Sequence, residues 1–254
     1  MSAPPATALP WATAGPYDAA LRAGHGPLFL RRADGWLLPL EVERWCARAD
    51  AADRNVLNRC EGTVLDVGCG PGRLVAELAA RGRAVLGIDL SAAAVDHTVR
   101  LGGQALRRSV FAPLPGEGRW GTVLLMDGNI GIGGEPQALL DRVAGLLRPG
   151  GLLIAETAPV EVDERAQVQI VDLAGTGRSD ALFPWARLGT RALLRYARGW
   201  RRAGQWTAGG RRFVALRTPS SRSVNTSAEQ PKRAAVISSQ RPRNTSAGSP
   251  VADR

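Results

Sequence analysis

The sequence contains few of the residues that build disulfide frameworks and metal centres. Its 254 residues include only three cysteines, Cys46, Cys60 and Cys69, and two histidines, His25 and His97. The cysteines are odd in number, and their spacing matches no metal-ligand motif. We therefore expect free thiols in a reducing compartment, with no disulfide and no metal site.

Long apolar runs are also missing. No window of about 18 uninterrupted apolar residues occurs, so the sequence predicts no membrane span. The first five residues contain neither a basic start nor an apolar segment of the kind that directs export. These absences favour a cytoplasmic protein.

Lysine is nearly absent, because only Lys232 among the 33 basic residues is a lysine. The formal net charge is +10, but it is spread unevenly: −3 over residues 1–177, +9 over 178–217 and +4 over 218–254. A basic excess confined to the last third is weak support for nucleic-acid binding. We expect no nucleic-acid partner.

A glycine-rich loop is the feature that most constrains the function. An apolar segment over residues 64–67 is followed by Gly68, Gly70 and Gly72, and then by a segment with helical periodicity. Glycines let a backbone turn sharply and let a ligand lie close to it. The start of the helix adds free N–H groups and a partial positive charge. The pattern predicts a strand, a tight loop and a helix that bind a small molecule.

Two acidic residues narrow the identity of that ligand. Dinucleotide sites have the spacing G-x-G-x-x-G, whereas the glycines here follow G-x-G-x-G, with Asp66 two positions before Gly68. Residues 84–89 predict a second strand that ends in Asp89, seventeen residues after Gly72. A carboxylate in that position can accept hydrogen bonds from a ribose diol.

Residues 65–72 and 87–91 together closely resemble the first two motifs of the class I S-adenosylmethionine-dependent methyltransferases. Leu-Arg-Pro-Gly-Gly-Leu-Leu at 147–153 and a predicted closing hairpin at 205–216 are further similarities. The resemblance covers roughly residues 55–217. It implies an α/β fold: a Rossmann-like, seven-stranded, mostly parallel sheet with helices on both faces and a C-terminal antiparallel β-hairpin.

The same resemblance implies S-adenosylmethionine as cofactor and assigns roles to residues. The glycine loop would wrap the methionine and ribose portions, Asp66 would orient the loop amides and the cofactor ammonium, and Asp89 would bind the ribose hydroxyls. Leu90 would pack on the adenine. Relatives often place an acidic residue after the third strand to contact the adenine amino group, and Ser109 and Val110 occupy that place here. The full set of predicted cofactor-binding residues is Asp66, Gly68, Cys69, Gly70, Gly72, Asp89, Leu90, Ser109, Val110 and Asp127.

The loop over residues 127–134 follows the fourth predicted strand and should face the transferred methyl group. Asp127 could hold the cofactor ammonium through its carbonyl oxygen, and Asn129 could point toward the acceptor. The alternative is that both residues simply form a turn. The loop lacks the Pro-Pro-aromatic pattern of amide- and base-directed N-methyltransferases, which makes those substrates less expected.

Methyl transfer requires mainly that the nucleophile be held in line, because a sulfonium is already a strong electrophile. A general base is needed only for a protonated acceptor. The candidates are His25, Asp127 and Glu156, while His97 is expected on the surface. A turn or packing role for His25 is an equal alternative to catalysis.

The sequence divides into four segments. Residues 1–16 should be flexible, and residues 17–54 should form an N-terminal helical cap over the substrate pocket, with packing on the sheet edge as the alternative. Residues 55–217 form the predicted methyltransferase domain, and residues 218–254 a disordered basic tail.

A further helix is predicted over residues 184–198. Arginines recur along it every three or four residues and continue to Arg202. The stripe is either a solvated face or a site for an anionic substrate, carrier protein or membrane headgroup. Its members are Arg187, Arg191, Arg195, Arg198 and Arg202.

These features predict a methyltransferase that acts on a small-molecule acceptor through an oxygen, nitrogen or carbon atom. Three alternatives remain open at this point: a non-catalytic S-adenosylmethionine-binding scaffold, an NAD-dependent oxidoreductase and an RNA methyltransferase. Ser109 and Gly121, which stand where relatives often carry acidic residues, keep the scaffold alternative open. The sequence leaves the acceptor and the oligomeric state undetermined.

Overall fold

The computed structural model describes residues 15–172 and 181–218. Its helices are α1 (Pro16–Ala23), α2 (Val42–Cys46), α3 (Ala51–Leu57), α4 (Arg73–Ala80), α5 (Ala92–Arg100), α6 (Pro136–Leu146) and α7 (Thr190–Tyr196). Its strands are β1 (Leu28–Arg32), β2 (Leu37–Leu40), β3 (Val64–Val67), β4 (Val85–Asp89), β5 (Ala105–Arg107), β6 (Trp120–Leu125), β7 (Leu147–Thr157), β8 (Asp163–Val171), β9 (Phe183–Leu188), β10 (Arg201–Ala208) and β11 (Arg211–Arg217).

Seven strands form the main sheet in the order β10-β11-β7-β6-β3-β4-β5. Strands β3 to β7 pair in parallel, whereas β11 is antiparallel to β7 and β10 is antiparallel to β11. Every residue of β3 and β6 is buried, as expected for strands that are covered on both faces. This arrangement confirms the predicted fold, including the closing hairpin.

Helices cover both faces of the main sheet. Leu139, Leu140 and Val143 of α6 belong to one apolar core. Leu74, Val75 and Leu78 of α4 belong to another, which also contains Leu124 of β6 and Phe213 of β11. The three- and four-residue spacing on each helix therefore places its apolar face against the sheet.

A second, four-stranded antiparallel sheet in the order β2-β1-β8-β9 was not expected from the sequence. Two of its strands lie in residues 17–54, so that segment is not a purely helical cap. The part of the predicted cap that follows these strands contains two short helices, α2 and the start of α3. Residues 15–54 instead combine helices with one edge of a sheet.

The helix predicted over residues 184–198 is also wrong in its first part. Residues up to Leu188 form β9, which pairs with β8, and only α7 is helical. Pro184 suggested the first turn of a helix, but proline is equally compatible with an edge strand, where a missing N–H breaks no ladder. The pairing with β8 decides between the two.

The arginine stripe is consequently distributed over different elements. Arg187 lies in β9, Arg195 in α7 and Arg202 in β10. Arg187 pairs with Glu164 at 2.9 Å and Arg195 pairs with Asp163 at 2.9 Å. These arginines therefore do not form one face of a helix.

Two residues that the sequence placed in flexible or disordered segments, Pro16 and Thr218, belong to the folded part. Pro16 begins α1, and Thr218 donates its N–H to the Gly151 carbonyl oxygen at 3.1 Å. The rest of the predicted flexible N-terminus and basic tail lies outside the described residues. No helix over 15–172 and 181–218 is long and apolar enough to cross a membrane.

A short 3-10 turn, Asn129–Gly131, joins the two sheets. Ile132 forms an isolated bridge with Trp185 of β9. A Cβ atom at Gly131 would overlap the carbonyl oxygen of Ala186 and would lie 2.8 Å from the indole nitrogen of Trp185. The close approach of the second sheet therefore requires glycine at this position.

We predict that Gly131→Ala lowers the free energy of unfolding by about 1–3 kcal/mol, because backbone must move to admit the methyl group. The matched control is Gly145→Ala in α6, where an added Cβ meets nothing within 4 Å. That control should gain about 0.5–1 kcal/mol from the helix preference of alanine. Urea denaturation measures both values, and equal effects of the two substitutions would contradict the prediction.

Candidate active site

A cleft opens at the carboxyl ends of β3, β4 and β6, and the second sheet forms its opposite wall. Ligands of open parallel sheets bind at this edge. Among the predicted site residues, Asp66, Gly72 and His25 do not line the cleft. Those that do are Gly68, Cys69, Gly70, Asp89, Leu90, Ser109, Val110, Asp127 and Asn129.

The Asn129 side chain holds the glycine loop through hydrogen bonds to its backbone. Its side-chain amide nitrogen lies 2.9 Å from the carbonyl oxygens of both Val67 and Gly68, and donates to both. A Cβ at Gly68, where φ is +70°, would lie 2.5 Å from that nitrogen. Gly68 therefore leaves space for the Asn129 side chain as well as for a ligand. Both amide protons of Asn129 take part in these two hydrogen bonds.

Gly72 serves packing rather than the cleft. A Cβ there would lie 2.7 Å from the Thr98 Cβ on α5. The Thr98 hydroxyl donates to the Gly70 carbonyl oxygen at 3.2 Å. The third glycine thus lets α4 and α5 approach each other behind the loop. Cys69 is buried beside Thr98, and burial raises the pKa of its thiol well above the usual value.

Asp89 faces the cleft next to the glycine loop. Its two carboxylate oxygens accept the backbone N–H groups of Gly70 and Ser91, each at 2.9 Å. Burial raises its pKa, and the N–H bonds from Ser91 and Gly70 oppose that rise. A carboxylate offers about four lone-pair sites, so each oxygen retains one for a ligand hydroxyl.

Asp66 occupies a different environment. It is 1% exposed, and its Oδ2 has no hydrogen-bond partner among the described residues. Burial raises the pKa of Asp66 to about 7, although Arg73 lowers it. Its carboxylate is enclosed behind the cleft wall rather than presented to a ligand.

The loop after β5 forms one end of the cleft. Val110 is buried, whereas Phe111 is 46% exposed and also lines the cleft. The Ser109 hydroxyl accepts the Phe111 N–H at 3.2 Å. Together with Leu90, these side chains leave an apolar slot with one hydroxyl and no carboxylate.

An arginine–carboxylate network surrounds Asp127, whose φ of +55° is a strained value for a non-glycine residue. Its carboxylate accepts hydrogen bonds from Arg73 at 2.7 and 3.1 Å, from Arg44 at 2.8 Å and from Arg211 at 3.3 Å. We define the network as these four residues together with Asp53 and Glu156.

The other carboxylates of the network complete the pairing. Asp53 binds Arg73 through both oxygens, at 2.8 and 3.1 Å, and Arg211 at 2.7 Å. Glu156 binds Arg211 at 2.6 and 2.9 Å and also accepts the Asp127 N–H at 2.8 Å. Asp127 is therefore held by Glu156 through its N–H and by the arginines through its carboxylate.

The network makes two of the predicted candidate bases, Asp127 and Glu156, unsuitable as proton acceptors. Burial raises the pKa of Asp127, but Arg73, Arg44 and Arg211 outweigh it, so the net pKa is lowered. Glu156 is occupied by Arg211 and does not line the cleft. His25 is exposed, and its Nδ1 lies 3.0 Å from the Gly26 carbonyl oxygen. None of the three is a free proton acceptor at the cleft.

Helix α1 contributes a residue that sequence reasoning missed. Tyr17 lines the cleft, and burial together with the nearby Asp89 raises the pKa of its hydroxyl. The neighbouring Asp18 is 4% exposed and accepts a hydrogen bond from the Ser91 hydroxyl, which anchors α1 to the start of α5. The only sequence signal was the four-residue spacing of Tyr17 and the buried Leu21 on a short predicted helix.

Residues 64–151 match a family model described as "Methyltransferase domain". They include the glycine loop, Asp89 and Asp127, the residues around which the cleft is built. The match agrees with the resemblance seen in the sequence motifs. Over residues 64–151 the chain is therefore similar to methyltransferase domains.

Solved structures share this methyltransferase fold. One is a SAM-dependent methyltransferase from Bacteroides fragilis in complex with S-adenosyl-L-homocysteine, with 21% identity, a TM-score of 0.67, and coverage of 86% of this chain and 98% of that one. Another is the glycopeptide N-methyltransferase MtfA with S-adenosyl-L-homocysteine, with 18% identity, a TM-score of 0.51, and coverage of 68% and 91%. At these identities the likeness concerns the fold. A comparison with curated proteins finds no match.

We predict that the network makes the methyltransferase domain sensitive to acid through Asp53. Burial opposes its ionisation, but Arg73 and Arg211 lower its pKa from 3.8 to about 2. Because the pKa of Asp53 is lower in the folded state than in the unfolded state, its ionised form stabilises the fold at pH values above the unfolded-state pKa. This contribution, about 2 kcal/mol, is lost as pH falls from about 4 to 2.

Urea denaturation between pH 5 and 2 measures this loss. Asp53→Asn should reduce the free energy of unfolding at pH 5 and flatten its decline below pH 4. Asp141→Asn, at an exposed carboxylate on α6, should keep the wild-type slope. Parallel profiles for wild type and Asp53→Asn would contradict the prediction.

Proposed function

We propose that this protein transfers the methyl group of S-adenosylmethionine to a small-molecule acceptor. The observation that carries the proposal is Asp89 beside the glycine loop. It lines the cleft with one lone-pair site left on each carboxylate oxygen, which suits the two hydroxyls of a ribose. The family of residues 64–151 supports the same cofactor.

The residues present fit the rest of that cofactor. Gly68 and Gly70 adopt positive φ values of 70° and 53°, so the loop backbone turns toward the cleft without side chains. Leu90, Ser109 and Val110 would hold the adenine in the apolar slot. The Asp127 carbonyl oxygen, fixed by the arginine–carboxylate network, would accept a hydrogen bond from the cofactor ammonium.

Two predicted cofactor residues take indirect roles in this proposal. Asp66 and Gly72 lie behind the cleft wall, so each would act by shaping the loop rather than by touching the ligand. Cys69 lines the cleft but fills the space beside Thr98. We assign it a packing role, since its thiol is buried and its raised pKa keeps it protonated.

When bound, the cofactor supplies an electrophilic methyl group, and the protein has to position the acceptor and exclude water. The second sheet, α1 and α2 would do this from the opposite side. Tyr17 of α1 and Trp45 of α2 both line the cleft, with ring centroids 6.3 Å apart. We assign residues 16–46, together with β8 and β9, as the acceptor cover. His25, which is exposed, has no part in this proposal.

We predict that S-adenosylmethionine binds the full chain and that Asp89→Ala weakens its binding by at least about tenfold, since two hydrogen bonds to a charged acceptor are lost. Isothermal titration calorimetry measures the affinity. Asp89→Asn, which keeps one acceptor oxygen, should retain more affinity than the alanine variant.

Asp96→Ala provides the control, because Asp96 lies in α5, the helix that follows Asp89, but is exposed and does not line the cleft. It should bind as the wild type does. Heat with NAD and none with S-adenosylmethionine would instead identify an oxidoreductase. Tight binding without turnover on any acceptor fraction would identify a scaffold.

A further inference from the structure

The acceptor wall of the cleft is apolar and rich in aromatic side chains. Phe183 and Trp185 of β9 pack edge to face, with centroids 6.2 Å apart and planes at 90°. The other described side chains of this wall are Leu30, Leu40, Trp45, Ile132, Ile170 and Pro184. Aromatic faces and edges of this kind favour a flat, π-rich ligand.

Titratable side chains in the described lining are few, and none is a free base. Asp89 belongs to the proposed ribose site, Asp127 is held by three arginines, and Cys69 is buried behind the loop. The Tyr17 hydroxyl is a hydrogen-bond donor. The remaining titratable members of the lining are arginines, Arg73 and Arg108. A protonated acceptor would find no side chain here to take its proton.

The charge of the acceptor atom before and after methylation decides which kind of atom suits this apolar part of the cleft. A neutral ring nitrogen would take over the positive charge of the sulfonium on methylation and would hold that charge in apolar surroundings, which is costly. An ionised oxygen reacting with a sulfonium leaves two neutral products. The Tyr17 hydroxyl on the cleft wall can donate to the oxygen before transfer.

We propose that the acceptor is a planar aromatic compound with an acidic hydroxyl group, bound as its phenolate or enolate. The inference rests on the proposed function. In the transfer, a lone pair of the acceptor oxygen forms the new O–CH3 bond while the S–CH3 bond breaks and its electron pair stays on sulfur. The acceptor's proton goes to bulk water beforehand, so no side chain carries it.

The first test is binding. The full chain, saturated with S-adenosylhomocysteine, is titrated with a phenol, a pyridine and a cyclohexanol of matched size, and tryptophan fluorescence is followed. The phenol should quench the fluorescence and bind at least about tenfold more tightly than the cyclohexanol. Preferential binding of the cyclohexanol would overturn the aromatic part of the proposal.

Substitution of tryptophans inside and outside the cleft tests where the phenol binds. Trp185→Leu should weaken phenol binding by about tenfold, in line with the loss of one aromatic contact and its buried area. The control is Trp36→Leu, because Trp36 stacks on Arg32 and Arg187 and does not line the cleft. Affinity for S-adenosylhomocysteine should be unchanged in both variants. Equal loss of phenol affinity in the two would place the ligand elsewhere.

The second test is the pH dependence of transfer across phenols of graded acidity. The midpoint of kcat/KM against pH should move with the pKa of each phenol, because ionisation precedes transfer. A midpoint common to all phenols would reveal a protein base and would overturn the proposal. Faster methylation of the pyridine would overturn it as well.

The two proposals fail in different ways. Calorimetry on the unmodified chain reports cofactor binding without any acceptor. Absence of heat with S-adenosylmethionine overturns the proposed function, whereas cofactor binding combined with a preference for pyridine or cyclohexanol overturns only the acceptor class.

Discussion

The buried pairing of Arg73 with Asp53 and Asp127 is the interaction on which the site depends. Arg73 directly follows the glycine loop, its side chain is only 3% exposed, and it binds both carboxylates. A buried guanidinium without these partners would be very costly. Because Asp53 comes from α3, Asp127 from the loop after β6 and Arg211 from the closing hairpin, the arginine–carboxylate network ties four distant segments to one geometry.

The cleft has two chemically different walls. On one side the cleft presents backbone amides, glycines and the Asp89 carboxylate, and on the other it presents Phe183, Trp185 and aliphatic side chains. A charged ligand portion therefore has most of its described polar partners along the main sheet, with the Tyr17 hydroxyl on the opposite side. The second sheet supplies a low-dielectric surface, against which chemistry that neutralises opposite charges is favoured over chemistry that only moves a charge from one atom to another.

Sequence reasoning was most successful where the signal was local. The glycine loop, the strand that ends in Asp89 and the burial of β6 each follow from a continuous run of residues, and the structure has all three. It failed at β9, where Pro184 and the following periodicity favoured a helix, and it missed β8. Both strands depend on partners distant in the chain, since β8 lies between β1 and β9, and no local pattern contains that pairing.

The sequence by itself determined the parallel sheet, the glycine loop and the resemblance to methyltransferases, because those depend on spacing within short segments. Only the tertiary structure decided what surrounds Asp127. Its three arginine partners are distant in the chain: Arg44, Arg73 and Arg211 lie 83, 54 and 84 positions away. They reach Asp127 because folding brings α2, α4 and β11 next to the loop after β6. The enclosure of Asp66, the exposure of His25 and the place of Tyr17 at the cleft were decided in the same way, because solvent access is a property of the packed chain.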